Sequence, residues 1–179
     1  MNFGEITYNT FYNLGKYGPI ILIIISWYLI WNNENLFFYY TCGIFASALI
    51  NIILKGIIQQ PRPMFDDKKI KLAKTYKKTY FYQNGIPFDI YGMPSGHAQM
   101  SFFTISFMYL SLKKTYILYS YLFFSLMICV QRVKFEYHTI QQVIVGSMVG
   151  SLLGYVIYNM AREKIQNIIT EKPDDAAPI

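Results

Sequence analysis

The chain predicts an all-α integral membrane bundle of five to six transmembrane helices, joined at one face by a single long polar loop. Two observations carry this. Hydrophobic residues fill 54% of the 179 positions and charged residues only 15%, which is too apolar for an ordinary soluble domain. The charges are also segregated. All ten carboxylates (Glu5, Glu34, Asp66, Asp67, Asp89, Glu136, Glu163, Glu171, Asp174 and Asp175) fall outside the long apolar runs. A bilayer imposes that separation, because a charge at its centre costs several kcal/mol.

Residues 1–16 are expected to form an interfacial N-terminal segment ahead of a first span, Tyr17 to Trp31. That run is short, is extended upstream by Phe11, Tyr12 and Leu14, and contains Gly18-Pro19, a kink or start signal. It does not read as a cleaved signal: no basic cluster precedes it, and the exit Trp31-Asn32-Asn33-Glu34-Asn35 offers no small-residue cleavage site. Four further spans follow, Leu36 to Ile58, Pro94 to Leu112, Thr115 to Gln131 and Ile140 to Met160. Most approach the roughly 20 residues that cross a hydrocarbon core. Asn32 to Asn35 and Lys113-Lys114 are tight turns on one side, and residues 61–93 make the long polar loop on the other. The transmembrane domain then covers residues 17–162, and residues 163–179 read as a polar, disordered tail. Cys42 and Cys129 lie inside apolar runs and are expected to be buried thiols at different depths, not a bridge.

The chemistry gathers at one set of helix ends. Lys55 is followed seven residues later by Arg62-Pro63; Pro94-Ser95-Gly96-His97 opens the third span; Arg132 precedes His138 by six residues. Counting spans places all three clusters on the side of the long loop. An odd number of crossings between any two would have kept them apart. The net charge of +6 suits anionic headgroups or phosphorylated ligands, whereas a nucleic-acid partner has no free basic helix to bind. The apolar runs carry no carboxylate of the kind an ion-coupled transporter keeps at mid-membrane depth.

Transfer of a phosphoryl group requires charge neutralisation on three equatorial oxygens and a nucleophile opposite the leaving group. Lys55, Arg62 and Arg132 offer fixed cations, the arginines with bidentate geometry. Ser95 and Gly96 at a helix start suggest an anion nest, with His97 on its rim as a proton donor. His138 opens the fifth span, and Gln142, four residues on, shares its helical face and can hold the Nδ1 proton, leaving Nε2 to attack phosphorus. Stripes of small residues, Gly146, Gly150 and Gly154 on one span and Gly43, Ser47 and Asn51 leading to Lys55 on another, mark the faces expected to point inward. Taken singly, each feature has an ordinary structural explanation: a snorkelling lysine, an interfacial Arg-Pro stop, a helix start, a packing stripe. Their coincidence on one face is what favours a site.

The ordered set Lys55-x6-Arg62-Pro63, Pro94-Ser95-Gly96-His97 and Arg132-x5-His138 resembles the type 2 phosphatidic acid phosphatase superfamily of membrane lipid phosphatases, over residues 36 to 160. The resemblance implies a six-helix bundle whose long loop lies over the active site. It implies His138 as the nucleophile of a phosphohistidine intermediate, His97 as the acid, and Lys55, Arg62, Ser95, Gly96 and Arg132 as phosphate holders. It implies no metal and no other cofactor. Two positions depart from the broad pattern: Gln131 replaces a serine, and Gln142 replaces the aspartate that orients the nucleophile. Gly92-Met93-Pro94-Ser95-Gly96-His97-Ala98-Gln99 and His138-Thr139-Ile140-Gln141-Gln142-Val143 look like the dolichyl-diphosphatase branch, which carries glutamine there. That branch acts on polyprenyl diphosphates at the lumenal face of the endoplasmic reticulum. That placement is expected for a chain of eukaryotic type; otherwise a plasma membrane with an external active site is expected.

Cleaving a diphosphate expels a phosphate monoester, a better leaving group than an alkoxide, so a histidine oriented by a neutral amide can suffice. The loop lysines Lys68, Lys69, Lys71, Lys74, Lys77 and Lys78 suit either such a polyanion or anionic lipid. Their charge would place this side in the cytoplasm, against the family's placement, although a long loop weakens the charge rule. The expected partners are a lipid phosphate or diphosphate and membrane lipids. Competing readings are a phosphatidate or lysophospholipid phosphatase, a lipid phosphotransferase, and a catalytically silent lipid-binding member of the fold.

Overall fold

The computed structural model describes residues 3–65, 67–76, 80–83 and 86–171. The described residues form a helical bundle, in keeping with the all-α class, and the local chemistry at each helix end explains where the chain turns. The segment expected to lie at the interface and the first span are one continuous helix, α1 (Phe3–Ile30), with Pro19 inside it. Its first turns are tied down by aromatics: Tyr8, Phe11 and Tyr12 pack on Phe135 with ring centroids 5.4, 6.3 and 5.2 Å away. The turn after α1 ends where the Asn33 side chain accepts the Leu36 N–H and caps α2 (Glu34–Ile58). That helix stops at Gln59, whose left-handed backbone (φ 51°) returns its N–H to the Lys55 carbonyl just before Pro61.

Among its described residues the long loop carries secondary structure. It contains a short helix, α3 (Asp67–Thr75), and an antiparallel hairpin of β1 (Tyr80–Gln83) and β2 (Ile86–Asp89), in register Tyr80 to Asp89. The signal was present in the sequence, since strand-forming residues flank Asn84-Gly85, the dipeptide of two-residue hairpin turns. A bridge between Pro61 and Tyr91 closes the loop at its base. Of the loop lysines, Lys68 and Lys71 are exposed on α3, while Lys77 and Lys78 lie outside the described residues, as does Asp66.

The bundle is completed by α4 (Gly96–Leu112), α5 (Thr115–Lys134) and α6 (Ile140–Glu171). Among the described residues, α1, α2, α5 and α6 are each long and apolar enough to cross a membrane. The sixth helix, α3, has only nine residues, four of them lysine, and cannot cross, so among the described residues the bundle proper has five helices. α4, expected as a span like the others, has 17 residues, about 25 Å of helix, and sits at the centre in contact with α1, α2, α5 and α6. α6 runs beyond the boundary expected at residue 162, because its sequence has no glycine or proline between Gly154 and Pro173; residues 172–179 lie outside the described residues.

The packing inverts the soluble pattern. Phe45, Leu49, Met148 and Leu152 are exposed, whereas Ser47, Asn51, Gln99, Ser101 and Thr104 are buried. That distribution suits a hydrocarbon solvent with polar contacts sequestered inside. The predicted stripe of α2 faces inward throughout, its buried residues being Leu36, Tyr40, Gly43, Ser47, Asn51 and Lys55. Cys42 lies one position off this stripe and is exposed, contrary to expectation; Cys129 is buried, and both are free thiols. Gly146, Gly150 and Gly154 bring α6 against the α4 backbone, where an added Cβ would collide with the Ser95, Gln99 and Phe103 carbonyls. This close approach fixes the start of α4 against the start of α6.

Candidate active site

A cavity of about 490 Å³ opens at the helix ends on the loop side. Six of the residues singled out from the sequence line it: Lys55, Arg62, Gly96, His97, Arg132 and His138. Ser95 and Gln142 stand behind them in the wall. The cavity also takes in Asp89 from β2, Tyr137, Ile52, and Tyr12, Lys16, Tyr17 and Ile20 from α1.

Local backbone geometry explains the Arg132-x5-His138 spacing. After α5 the chain reverses through Phe135 and Glu136, the latter with φ 56°, and the N–H groups of both Tyr137 and His138 donate to the Arg132 carbonyl at 3.1 Å. The turn therefore folds His138 back onto the helix that carries Arg132. The imidazole is 2% exposed. Its Nδ1 lies 3.0 Å from the Gly92 carbonyl and 3.2 Å from Gln142 Oε1. The carbonyl can only accept, so Nδ1 carries the proton and Nε2 presents a lone pair. Arg62 Nη1 donates to that lone pair at 2.9 Å. Burial, followed by the charges of Arg62, Arg132 and Lys55, holds the His138 pKa well below the ordinary histidine value, against a smaller upward pull from Gln142. Near neutral pH the ring is uncharged, the form that can attack an electrophile.

Gln142 does more than orient that ring. Its Oε1 also accepts the Thr139 N–H at 3.2 Å, and its Nε2 donates to the Pro61 carbonyl at 2.9 Å and to Gln60 Oε1 at 3.3 Å. An aspartate has no N–H to donate there. The amide thus ties the exit of α2, and with it Arg62, to the start of α6. Gly92 permits this arrangement, since a Cβ at that position would collide with the Gln142 side chain.

The cations are individually positioned. Arg62 Nε donates to the Asp89 carbonyl at 2.6 Å and Nη1 to the Tyr137 carbonyl at 3.0 Å. Burial draws its pKa down to about 10, partly offset by Asp89 and Tyr137, so the guanidinium remains charged at neutral pH. Lys55 Nζ lies 3.1 Å from Asp89 Oδ2. The Arg132 guanidinium sits 4.2 Å from the Tyr137 ring centroid, and its Nε is buried without a hydrogen-bond partner.

At the start of α4 the expected anion nest is only partly present. The Ser95 N–H is already donated to the Gln142 carbonyl at 2.9 Å, so it cannot serve an anion, but Ser95 Oγ is buried and unpartnered. Gly96 and His97 face the cavity. His97 Nε2 donates to the Lys16 carbonyl of α1 at 3.2 Å. Beneath them, Asn51 Nδ2 donates to Gln99 Oε1 at 2.8 Å and to the Pro94 carbonyl at 3.2 Å, and Gln99 Nε2 donates to the Ser47 carbonyl at 2.8 Å. This buried amide pair links α2 to the turn carrying Ser95. Gln131, the other departure from the broad pattern, does not line the cavity; it packs against Gly15 of α1 and donates to the Tyr12 carbonyl at 3.4 Å.

Sequence reasoning missed Asp89, Tyr137 and the α1 residues. Tyr137 had a signal, being the neighbour of His138. Asp89 had none, because only the hairpin register and the Pro61–Tyr91 bridge bring it to Lys55. Lys16 was assigned to an interfacial segment, and its place beside His97 follows from α1 being one helix.

Comparison with known proteins gives the family. The PAP2 superfamily matches residues 36–166, which contain Lys55, Arg62, Ser95, Gly96, His97, Arg132, His138 and Gln142. The chain is 30% identical over 152 residues to a dolichyldiphosphatase of Saccharomyces cerevisiae, covering 78% of this chain and 58% of that protein. It is 30% identical over 129 residues to dolichyldiphosphatase 1 of Dictyostelium discoideum, covering 66% of this chain and 49% of that one. The chain therefore spans between about half and three fifths of the length of these curated relatives. No solved structure matches it. With four apolar helices long enough to cross a bilayer and a family match over most of its length, the chain is a membrane protein of the PAP2 superfamily.

Proposed function

We propose that this chain is a lipid phosphatase that hydrolyses a polyprenyl diphosphate of the dolichyl type to the monophosphate, through a phosphohistidine on His138. The observation that carries the reading is the state of that ring: Nδ1–H held by the Gly92 and Gln142 oxygens, and Nε2 presenting its lone pair among Lys55, Arg62 and Arg132. The terminal phosphate takes hydrogen bonds from Arg62 and Arg132, and its oxygens also meet Ser95 Oγ and the Gly96 end of α4. Once Arg62 donates to phosphate, Nε2 is free. It attacks phosphorus, an N–P bond forms, and the bond to the bridging oxygen breaks. His97 gives a proton to the departing prenyl monophosphate. Water then attacks phosphorus as it passes a proton back to His97, the N–P bond breaks, and inorganic phosphate leaves with both histidines restored. These cations perform the electrostatic work that a metal does in other phosphatases. The prenyl chain extends past Tyr17, Ile20 and Ile52, the apolar part of the cavity lining.

The diphosphate preference is supported by Gln142 and by the names of the two relatives. The lumenal or external placement of the site follows the same resemblance. The test is phosphate release by purified protein in nanodiscs, offered prenyl diphosphate, prenyl monophosphate and phosphatidate with and without chelator. Diphosphate should be the best substrate, chelator should have no effect, and His138→Ala should abolish release. Acid-labile phosphate should be trapped on wild type but not on His138→Ala. Turnover that requires a divalent metal, or that survives His138→Ala, would refute the mechanism. Phosphate transfer to an added alcohol in place of water would assign a phosphotransferase.

A further inference from the structure

We infer that Asp89 is a built-in competitor of phosphate, a residue that limits how tightly the product anion is held. Among the described residues it is the sole carboxylate lining the cavity. Its Oδ2 pairs with Lys55 Nζ at 3.1 Å, with the two side chains only 18% and 11% exposed. Low exposure makes this pairing stronger than a surface ion pair of the same length. Asp89 is not a wandering side chain. Oδ1 accepts the Tyr91 N–H at 3.0 Å, its backbone carbonyl receives Arg62 Nε at 2.6 Å, and the Arg62 N–H donates to the Ile90 carbonyl at 2.9 Å. The end of β2 is thus fixed against the base of the loop, and the carboxylate is delivered to a cation that a phosphate oxygen would otherwise claim.

Charge explains why a phosphate site would keep an acid. Lys55, Arg62 and Arg132 are three unit cations, enough to bind a phosphate dianion with charge to spare. Asp89 reduces the surplus so that site and dianion are matched in magnitude. When inorganic phosphate forms, Asp89 reclaims Lys55 and favours its departure. Release is the step at which an over-cationic pocket would stall, because uniformly tight binding does not accelerate turnover.

This inference rests on the cavity being the phosphate site, and inorganic phosphate serves as the probe. Full-length wild type, Asp89→Asn and Asp89→Asn/Lys55→Met are compared by phosphate-induced thermal shift and by product inhibition of prenyl diphosphate cleavage. Asparagine keeps the acceptor for the Tyr91 N–H while removing the charge. The expected result is phosphate binding about tenfold tighter in Asp89→Asn, equivalent to about 1.4 kcal/mol. That gain should be lost in the Lys55→Met background. Equal or weaker phosphate binding by a folded Asp89→Asn protein, with wild type still binding, would overturn the inference and leave the function intact. Absence of any phosphate effect on wild type would overturn both.

Discussion

Replacing Gln142 by methionine separates two jobs that one amide performs. Methionine nearly preserves volume but removes both hydrogen-bonding ends. On the Nε2 side, the Pro61 carbonyl loses a 2.9 Å donor. On the Oε1 side, the Thr139 N–H loses its 3.2 Å acceptor. Each buried polar group left unpaired costs about 1–3 kcal/mol, so the variant should lose about 2–6 kcal/mol of stability. At about 2–4 °C per kcal/mol for a chain of this size, the melting temperature should fall by at least about 4 °C. Catalysis should suffer less than in enzymes whose histidine has a single orienting partner, where the loss is about 10⁴-fold. Here the Gly92 carbonyl, 3.0 Å from Nδ1, still fixes the tautomer. The loss should be the worth of one hydrogen bond to a ring that becomes charged, about 1.5–3 kcal/mol, or about 10- to 150-fold in kcat/KM. The assay is prenyl diphosphate cleavage beside thermal unfolding in the same nanodiscs. A loss near 10⁴-fold in a protein of unchanged melting temperature would show that Gln142 alone orients His138, and the two-acceptor reasoning would be wrong.

Other substitutions probe the site and the bundle separately. Gln142→Glu keeps the reach but sets a carboxylate against the Pro61 carbonyl; it should raise phosphomonoester turnover relative to diphosphate turnover, and an unchanged ratio would remove the leaving-group rationale. Arg62→Lys cannot reproduce contacts to Asp89, Tyr137 and His138 with one ammonium, so kcat/KM should fall at least about 100-fold while the protein remains folded. His138 is held neutral in the fold and protonates at its ordinary value when unfolded. Its contribution is therefore intact above about pH 6.5 and is lost as pH falls, with a slope of up to about 1.4 kcal/mol per pH unit. Thermal unfolding between pH 5 and 7 should show that slope diminished in His138→Gln; equal slopes would contradict it. Gly150→Ala should cost at least about 1–3 kcal/mol, because the added Cβ meets the α4 backbone, whereas Gly56→Ala, with nothing within 4 Å, should be nearly neutral in a thermal melt.

The sequence made the bundle legible because the membrane writes in coarse terms. Long apolar runs and segregated charge located the later helices and the end of the first to within a few residues, apart from the C-terminal extension of α6, and parity of crossings placed Lys55, His97, Arg132 and His138 together. The small-residue stripes read correctly for the same reason: a face that must approach another backbone can carry little else. What escaped were features set by register and hydrogen-bond direction. α1 was divided at Lys16 because composition changes there although the helix does not. The hairpin was hidden under a high charge count, and Asp89 with it. The Ser95 N–H looked available from its place before a helix, but the Gln142 carbonyl reaches it from the first turn of α6, a contact that no local pattern encodes.

The hydrogen bond from Arg62 to His138 Nε2 has a bearing on what the protein leaves alone. An imidazole kept uncharged would ordinarily be open to acylating and alkylating compounds. Here its reactive nitrogen is already engaged by a guanidinium, and only a molecule bringing anionic oxygens offers Arg62 something better. Neutral electrophiles dissolved in the surrounding lipid carry no such inducement. If His138 is the nucleophile, as proposed, discrimination on this basis precedes any fit of chain length or headgroup shape, since the approaching charge itself exposes the Nε2 lone pair.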